Sequence, residues 1–203
     1  MVALVVTLGF GPTGDGSPVG SVDGPVIATP VAQCQSIAKN PLGVTLIGDS
    51  LSIESLAEIE AVFAGARRPL CVNAQSGRRT VDAVTYLKTY RATSQLAPLV
   101  ILALGTNDTT TSNPEFNLAA KAALGQTYPR PTVWAVGYRS TDPYNSNRIA
   151  GLVSEWEAAI TRVTSTRWGP VVVAHPEYIS ADGVHPTEIG RVAYAGFLLS
   201  GIP

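Results

Sequence analysis

The chain has 203 residues, 45% of them hydrophobic and 14% charged, with a formal net charge of −1. That length and apolar content suit a single globular domain with a real core and exclude a disordered chain. The balanced charge gives no electrostatic reason to expect nucleic acid or an anionic membrane surface as a partner, and no apolar run approaches the roughly 20 residues of a membrane span.

Residues 1–41 stand apart. Glycine and proline make up 10 of the first 30 residues, and no Lys or Arg precedes Lys39. Val2 to Leu8 predicts one strand, after which the Gly/Pro density breaks regular structure. We read residues 1–41 as an extended Gly/Pro-rich N-terminal arm and residues 42–203 as the folded domain. Met1 to Phe10 is apolar but lacks the basic region of a secretory signal.

From Leu42 onward short apolar strands alternate with amphipathic helices. Val44 to Ile47 is a β-branched run ending at Gly48. Ser52 to Ala64 has helical spacing through Ile53, Leu56, Ile59 and Phe63. Pro69 to Asn73 predicts the second strand and Thr80 to Arg91 a helix. Leu99 to Leu104 is an unbroken apolar strand, followed by a helix over Pro114 to Leu124. Thr132 to Val136 predicts the fourth strand, Asn147 to Thr164 a long helix, Val171 to Ala174 the fifth strand, and Thr187 to Leu199 a final helix capped by Thr187. This alternation implies βαβ units, a five-stranded parallel sheet and helices on both faces.

The two cysteines, Cys34 and Cys71, show no metal-binding spacing, and the histidines, His175 and His185, lie ten residues apart. Two buried thiols and one disulfide are both open. A disulfide would favour an oxidising compartment.

Four short pieces carry the chemistry: Gly48-Asp49-Ser50, Ser76-Gly77, Gly105-Thr106-Asn107-Asp108 and Asp182-Gly183-Val184-His185-Pro186. Three begin where a predicted strand ends, and the fourth precedes the last helix. In a parallel sheet, sites form at the carboxyl ends of strands, so pieces distant in sequence converge in space. Ser50 is the candidate nucleophile, which needs a base to take its proton. His185 is that base, and Asp182 is the carboxylate that orients it. The Ser50 and Gly77 backbone N–H groups and the Asn107 amide are the candidate oxyanion donors. Asp49 and Asp108 read as structural residues that bond loop amides. Tyr138 is a candidate for substrate contact; Arg78 and Arg79 read first as a solvated turn near the site mouth, with contact to a polar or anionic substrate as the alternative. Arg139 stands beside Tyr138 as a further cleft residue, and His175 reads as structural.

On these residues the chain resembles the SGNH hydrolases, the GDSL-like esterase/lipase family. Gly48-Asp49-Ser50-Leu51 is similar to the GDSL block, Gly105-Thr106-Asn107-Asp108 to GxND, and Asp182 to His185 to DxxH. The resemblance covers about residues 42–200. Its second block is shorter than in many members, which makes Gly77 the least regular of the four positions. The resemblance implies a three-layer α/β/α flavodoxin-like sandwich with an open site, and no metal or cofactor.

The expected activity is hydrolysis of carboxylic esters through an acyl-enzyme. The few insertions favour short acyl groups, such as acetyl on a carbohydrate or cell-envelope polymer, over long lipids. A small ester or acylated glycan is the expected substrate, with a lipase, thioesterase or transferase as alternatives. Val5 to Pro12 is similar to short N-terminal segments of phage virion proteins. This raises a second reading, a structural or decorating subunit that carries the esterase, with the arm linking copies of the chain or a phage particle. An extracellular or virion-associated location is favoured over a cytoplasmic one.

Overall fold

A computed structural model describes residues 24–203. The strand expected over residues 2–8 and the segment at 5–12 lie outside the described residues. So does most of the expected arm.

The sheet is built from β1 (Val26–Ala28), β2 (Val44–Gly48), β3 (Leu70–Gln75), β4 (Leu99–Leu104), β5 (Thr132–Val136) and β6 (Val163–Arg167). Its order is β1-β3-β2-β4-β5-β6. The five strands from β2 to β6 pair in parallel, and β1 pairs antiparallel with β3. The sheet therefore has six strands, one more than expected, and the parallel part has the 3-2-4-5-6 order of a flavodoxin-like sheet. Such an order reverses direction between β2 and β4, where a crevice opens at the carboxyl ends of the strands.

The helices are α1 (Val31–Ala38), α2 (Ser50–Glu54), α3 (Leu56–Gly65), α4 (Thr80–Ala92), α5 (Asn113–Thr127), α6 (Pro143–Ala159), α7 (Trp168–Ala174) and α8 (Glu188–Ser200). Side chains alternate across the sheet, so each strand feeds two cores. Val100, Leu102 and Leu104 of β4 pack with Leu87 of α4, Phe116 of α5 and Ile149 of α6. Ile101 and Ala103 face the other way, toward Leu51 of α2, Phe63 of α3, Trp168 of α7 and Tyr194 of α8. No helix among the described residues is long and apolar enough to cross a membrane.

Three expectations differ from the structure. Residues 26–38, expected to be part of an extended arm, form β1 and α1. β1 closes the edge of β3 over Gln75 to Asn73, and Cys34 of α1 is bonded to Cys71 of β3, with 5.1 Å between their Cα atoms. The helix expected over Ser52 to Ala64 is broken at Ser55, which ends α2 with φ −101° and ψ 14°. The fifth parallel strand is Val163–Arg167 rather than Val171 to Ala174, which is helical. Trp168 and Val172, four residues apart, are buried while Val173 is exposed, the spacing of one helix face. Trp168 anchors α7 among the rings of Tyr178, Tyr194 and Phe197. That packing overrides the strand preference of three consecutive valines.

The Cys34–Cys71 bond closes a loop with a sequence separation of 37. Replacing both cysteines by serine is expected to cost about 3–4 kcal/mol of unfolding free energy. Urea unfolding of the variant and the wild type tests this; coincident midpoints would show that the bond contributes nothing.

Candidate active site

Ser50 opens α2 directly after β2. Asp49 is the N-cap, and its Oδ1 accepts the Leu51 N–H at 3.0 Å. This cap turns the chain so that the Ser50 hydroxyl leaves the carboxyl end of the sheet. Ser50 is 7% exposed. Its Oγ lies 3.0 Å from His185 Nε2, and His185 Nδ1 lies 2.6 Å from Asp182 Oδ2. An ionised carboxylate can only accept, so Nδ1 carries the proton and the Nε2 lone pair accepts from the Ser50 hydroxyl.

The loop between Tyr178 and α8 supplies both His185 and Asp182. Asp182 Oδ1 accepts from the Ser180 hydroxyl and from the Val184 and His185 N–H groups. The Ser180 hydroxyl first, then the His185 ring and backbone, hold the Asp182 carboxyl well below the usual carboxylate range. Gly183 takes φ +71°, and a Cβ there would stand 2.6 Å from Ser140 Oγ. The Ser140 N–H donates to the Gly183 carbonyl at 2.8 Å, so the turn after β5 braces the histidine loop. Thr187 then caps α8 through the Gly190 N–H.

Gly77 follows β3 with φ +73°, a conformation that favours glycine. Among the described residues no group takes the Ser50 or Gly77 N–H. Asn107 follows β4, and its Nδ2 donates to the Arg78 carbonyl at 3.1 Å. Its Oδ1 accepts from Arg139 Nη2 at 3.1 Å, while Arg139 Nε donates to the Thr106 carbonyl at 2.8 Å. A guanidinium only donates, so Arg139 dictates which end of the amide is oxygen. One Nδ2 hydrogen remains for a ligand.

Arg78 departs from expectation. It is fully buried, neither at the mouth of the site nor in a solvated turn. Nη1 donates to the Gly48 carbonyl at 3.1 Å and the Asn73 carbonyl at 2.7 Å, and Nη2 donates to Asn73 Oδ1 at 2.5 Å. The guanidinium lies 4.3 Å from the centroid of the Tyr86 ring. Burial pulls its pKa down, opposed first by Tyr86. Its neighbour Arg79 is the partly exposed one. Arg79 pairs with Asp82 and lines a cleft of about 640 Å³ between α4 and α5. Tyr138 also departs: it is buried in the core, its ring against Gly169 of α7. His175 ends α7 and meets Glu177 and the Tyr178 ring, in keeping with a structural residue.

Asp49 and Asp108 bond loop amides as expected. Asp108 accepts from the Thr80 N–H and, at 2.9 Å, from the Thr80 hydroxyl, which ties the Asn107 loop to the start of α4. Burial pushes both carboxyls up from 3.8 to about 6. Glu54, which the sequence reading passed over, brings Oε1 to 3.5 Å from His185 Nε2. Its signal was its place four residues after Ser50 on one helix. No group of three or more His, Cys, Asp or Glu side chains among the described residues could hold a metal ion.

The fold is similar to that of a putative SGNH hydrolase from Slackia heliotrinireducens, which superposes with a TM-score of 0.64 at 16% identity, over 81% of this chain and 100% of that one. No family model matches this chain. It is 26% identical over 155 residues to the O-acetyltransferase OatA of Staphylococcus aureus (strain NCTC 8325 / PS 47), covering 76% of this chain and 24% of that protein. The chain thus spans about a quarter or less of the length of the curated relatives it matches. Among solved structures, the C-terminal catalytic domain of Streptococcus pneumoniae peptidoglycan O-acetyltransferase A superposes with a TM-score of 0.68. The identity is 19%, over 78% of this chain and 91% of that one. A Clostridium thermocellum family 3 carbohydrate esterase superposes with a TM-score of 0.63 at 15% identity, over 78% of this chain and 93% of that one.

Two predictions follow from the buried charges. Arg78→Met removes three donors and leaves the Gly48 and Asn73 acceptors buried and unpaired, a loss of about 2–5 kcal/mol. Chemical denaturation measures it, and a loss below 1 kcal/mol would contradict the bracing role. For Asp49 and Asp108 the folded state binds more protons than the unfolded state between pH 3.8 and about 6. Their contribution to stability is therefore fully present below pH 3.8 and is lost as pH rises through about 6, by up to about 1.4 kcal/mol per pH unit for each group. Asp182 has the opposite sign, but its side chain is half exposed and its share is small. Asp108→Asn keeps both contacts to Thr80 and is expected to flatten the fall in Tm between pH 4 and 6.5; an unaltered slope would exclude Asp108 as its source.

Proposed function

We propose that this protein is a serine esterase that transfers acyl groups, acetyl above all, from or to hydroxyls of a carbohydrate or cell-envelope polymer through an acyl-enzyme on Ser50. The observation that carries the reading is the continuous hydrogen-bonded series Asp182–His185–Ser50, at 2.6 and 3.0 Å. In this reading Ser50 Oγ attacks the ester carbonyl as its proton passes to His185 Nε2. Asp182 stabilises the imidazolium that results. The tetrahedral oxyanion is met by the Ser50 and Gly77 N–H groups and the free Asn107 Nδ2 hydrogen, each such donor typically worth about 3 kcal/mol of barrier. His185 Nε2–H then protonates the leaving alcohol. A water or a second hydroxyl then attacks the acyl carbonyl as its proton passes to the same nitrogen, and that proton returns to Ser50 Oγ as the acyl–Oγ bond breaks.

The polymer and the acetyl group are suggested by the relatives, whose names specify O-acetyl transfer, peptidoglycan and carbohydrate esters. Hydrolysis and transfer share every step up to the acyl-enzyme and differ only in which hydroxyl takes the group. The Cys34–Cys71 bond supports an oxidising, extracellular setting.

Wild-type protein is expected to cleave p-nitrophenyl acetate faster than the butyrate and far faster than the octanoate. Ser50→Ala should lower the acetate rate by at least about 10³-fold. A Ser50→Ala rate equal to wild type would end the acyl-enzyme reading, and a preference for octanoate would end the short-acyl one.

A further inference from the structure

Ser50 and Glu54 are four residues apart on α2 and so share one face of the helix. The break at Ser55 ends α2 just after Glu54, at the side of the histidine ring. Glu54 Oε1 lies 3.5 Å from His185 Nε2, whose other neighbour is Ser50 Oγ at 3.0 Å. His185 therefore has a carboxylate at each ring nitrogen, in different circumstances. Asp182 is saturated by the ring, the Ser180 hydroxyl and two backbone N–H groups. Glu54 accepts no hydrogen bond from any described residue, and its side chain is 36% exposed.

Nε2 is the atom through which the alcohol's proton passes in both directions. It protonates the departing alkoxide, and it deprotonates the incoming hydroxyl. Any alcohol in either step must come within hydrogen-bonding distance of Nε2, and so within a few ångströms of the unoccupied Glu54 carboxylate. Among the described residues no Arg or Lys forms an ion pair with Glu54, and Arg139 donates instead to Thr106 and Asn107.

Resting on the acyl-enzyme reading above, we propose that Glu54 determines specificity for the alcohol half of the ester. It favours alcohols that are cationic or neutral and rich in hydroxyls, and it disfavours those carrying a carboxylate. The neutral class fits by hydrogen bonding, since an ionised carboxylate accepts from adjacent hydroxyls. Charged alcohols respond by Coulomb's law. At about 6 Å and an effective dielectric of about 60, one charge changes the rate by about fivefold in either direction.

The test uses the whole protein and three acetyl esters that differ in alcohol charge: acetylcholine, 2-methoxyethyl acetate and acetoxyacetate. Each kcat/KM is divided by that ester's own rate of alkaline hydrolysis. In wild type the corrected value for acetylcholine is expected to exceed that for acetoxyacetate by about tenfold or more, and the ratio should shrink in 0.5 M salt. In Glu54→Gln the ratio should fall to within about threefold of one, and in Glu54→Lys it should invert. Because the readout is a ratio, a general loss of activity in either variant does not obscure it. A wild-type ratio near one, or a ratio that neither substitution moves, overturns the assignment while leaving the acyl-enzyme intact. If wild type cleaves none of the three esters, and its p-nitrophenyl acetate rate equals that of Ser50→Ala, the acyl-enzyme reading has failed and this inference falls with it.

Discussion

The guanidinium of Arg78 holds the site together. It is fully buried, and a buried charge is costly unless it is paired and hydrogen-bonded; both terminal nitrogens are met, while Nε has no hydrogen-bond partner among the described residues. The acceptors that meet it are the Gly48 carbonyl, at the end of β2, and Asn73, near the end of β3. The same residue offers its own carbonyl to Asn107, in the loop after β4. One residue thus links the three strand ends that carry Ser50, Gly77 and Asn107. The distances between the proposed nucleophile and the proposed oxyanion donors depend on this bracing, because each of those groups lies just beyond a strand end. Arg139 adds a second brace from the β5 side, holding the Asn107 amide in one orientation.

The histidine loop is built on another principle. Its polar groups are partly exposed, and hydrogen bonds rather than burial hold them in place. Asp182 gathers four donors while half its side chain faces solvent. Asp49 and Asp108 are the reverse case, buried carboxyls that brace loops and titrate well above their ordinary range. The molecule therefore pairs a rigid, dry floor under the nucleophile with an open wall around the base. In the proposed reaction this open wall leaves Glu54 exposed on the side of His185 Nε2.

Much of the fold was legible because its signals were local. Leu99–Leu104 and Thr132–Val136 match their predicted strands residue for residue, since a buried parallel strand is a short apolar run with polar or proline flanks. Thr187 caps the last helix as its position suggested. β6 was missed because it is an edge strand of Thr, Ser and Arg with little burial, while the valine run after it is helical. β1 was missed because three residues between prolines carry no period, and only pairing with β3 makes them a strand. At the site, the spacing of the four pieces reveals residue types and order. It is silent on burial, so Arg78 read as a surface residue and Tyr138 as a cleft residue.

What the sequence by itself determined is the parts and their placement: a parallel α/β sheet, and polar groups at the carboxyl ends of its strands. These follow from hydrophobic periodicity and turn chemistry, both properties of neighbouring residues. The tertiary structure decided which parts touch. It brought Ser50 to His185 across a separation of 135 residues, buried Arg78 instead of exposing it, and set Glu54 against the second nitrogen of the imidazole. Burial and distance arise only when remote strands pack, and those two quantities govern how a charge behaves.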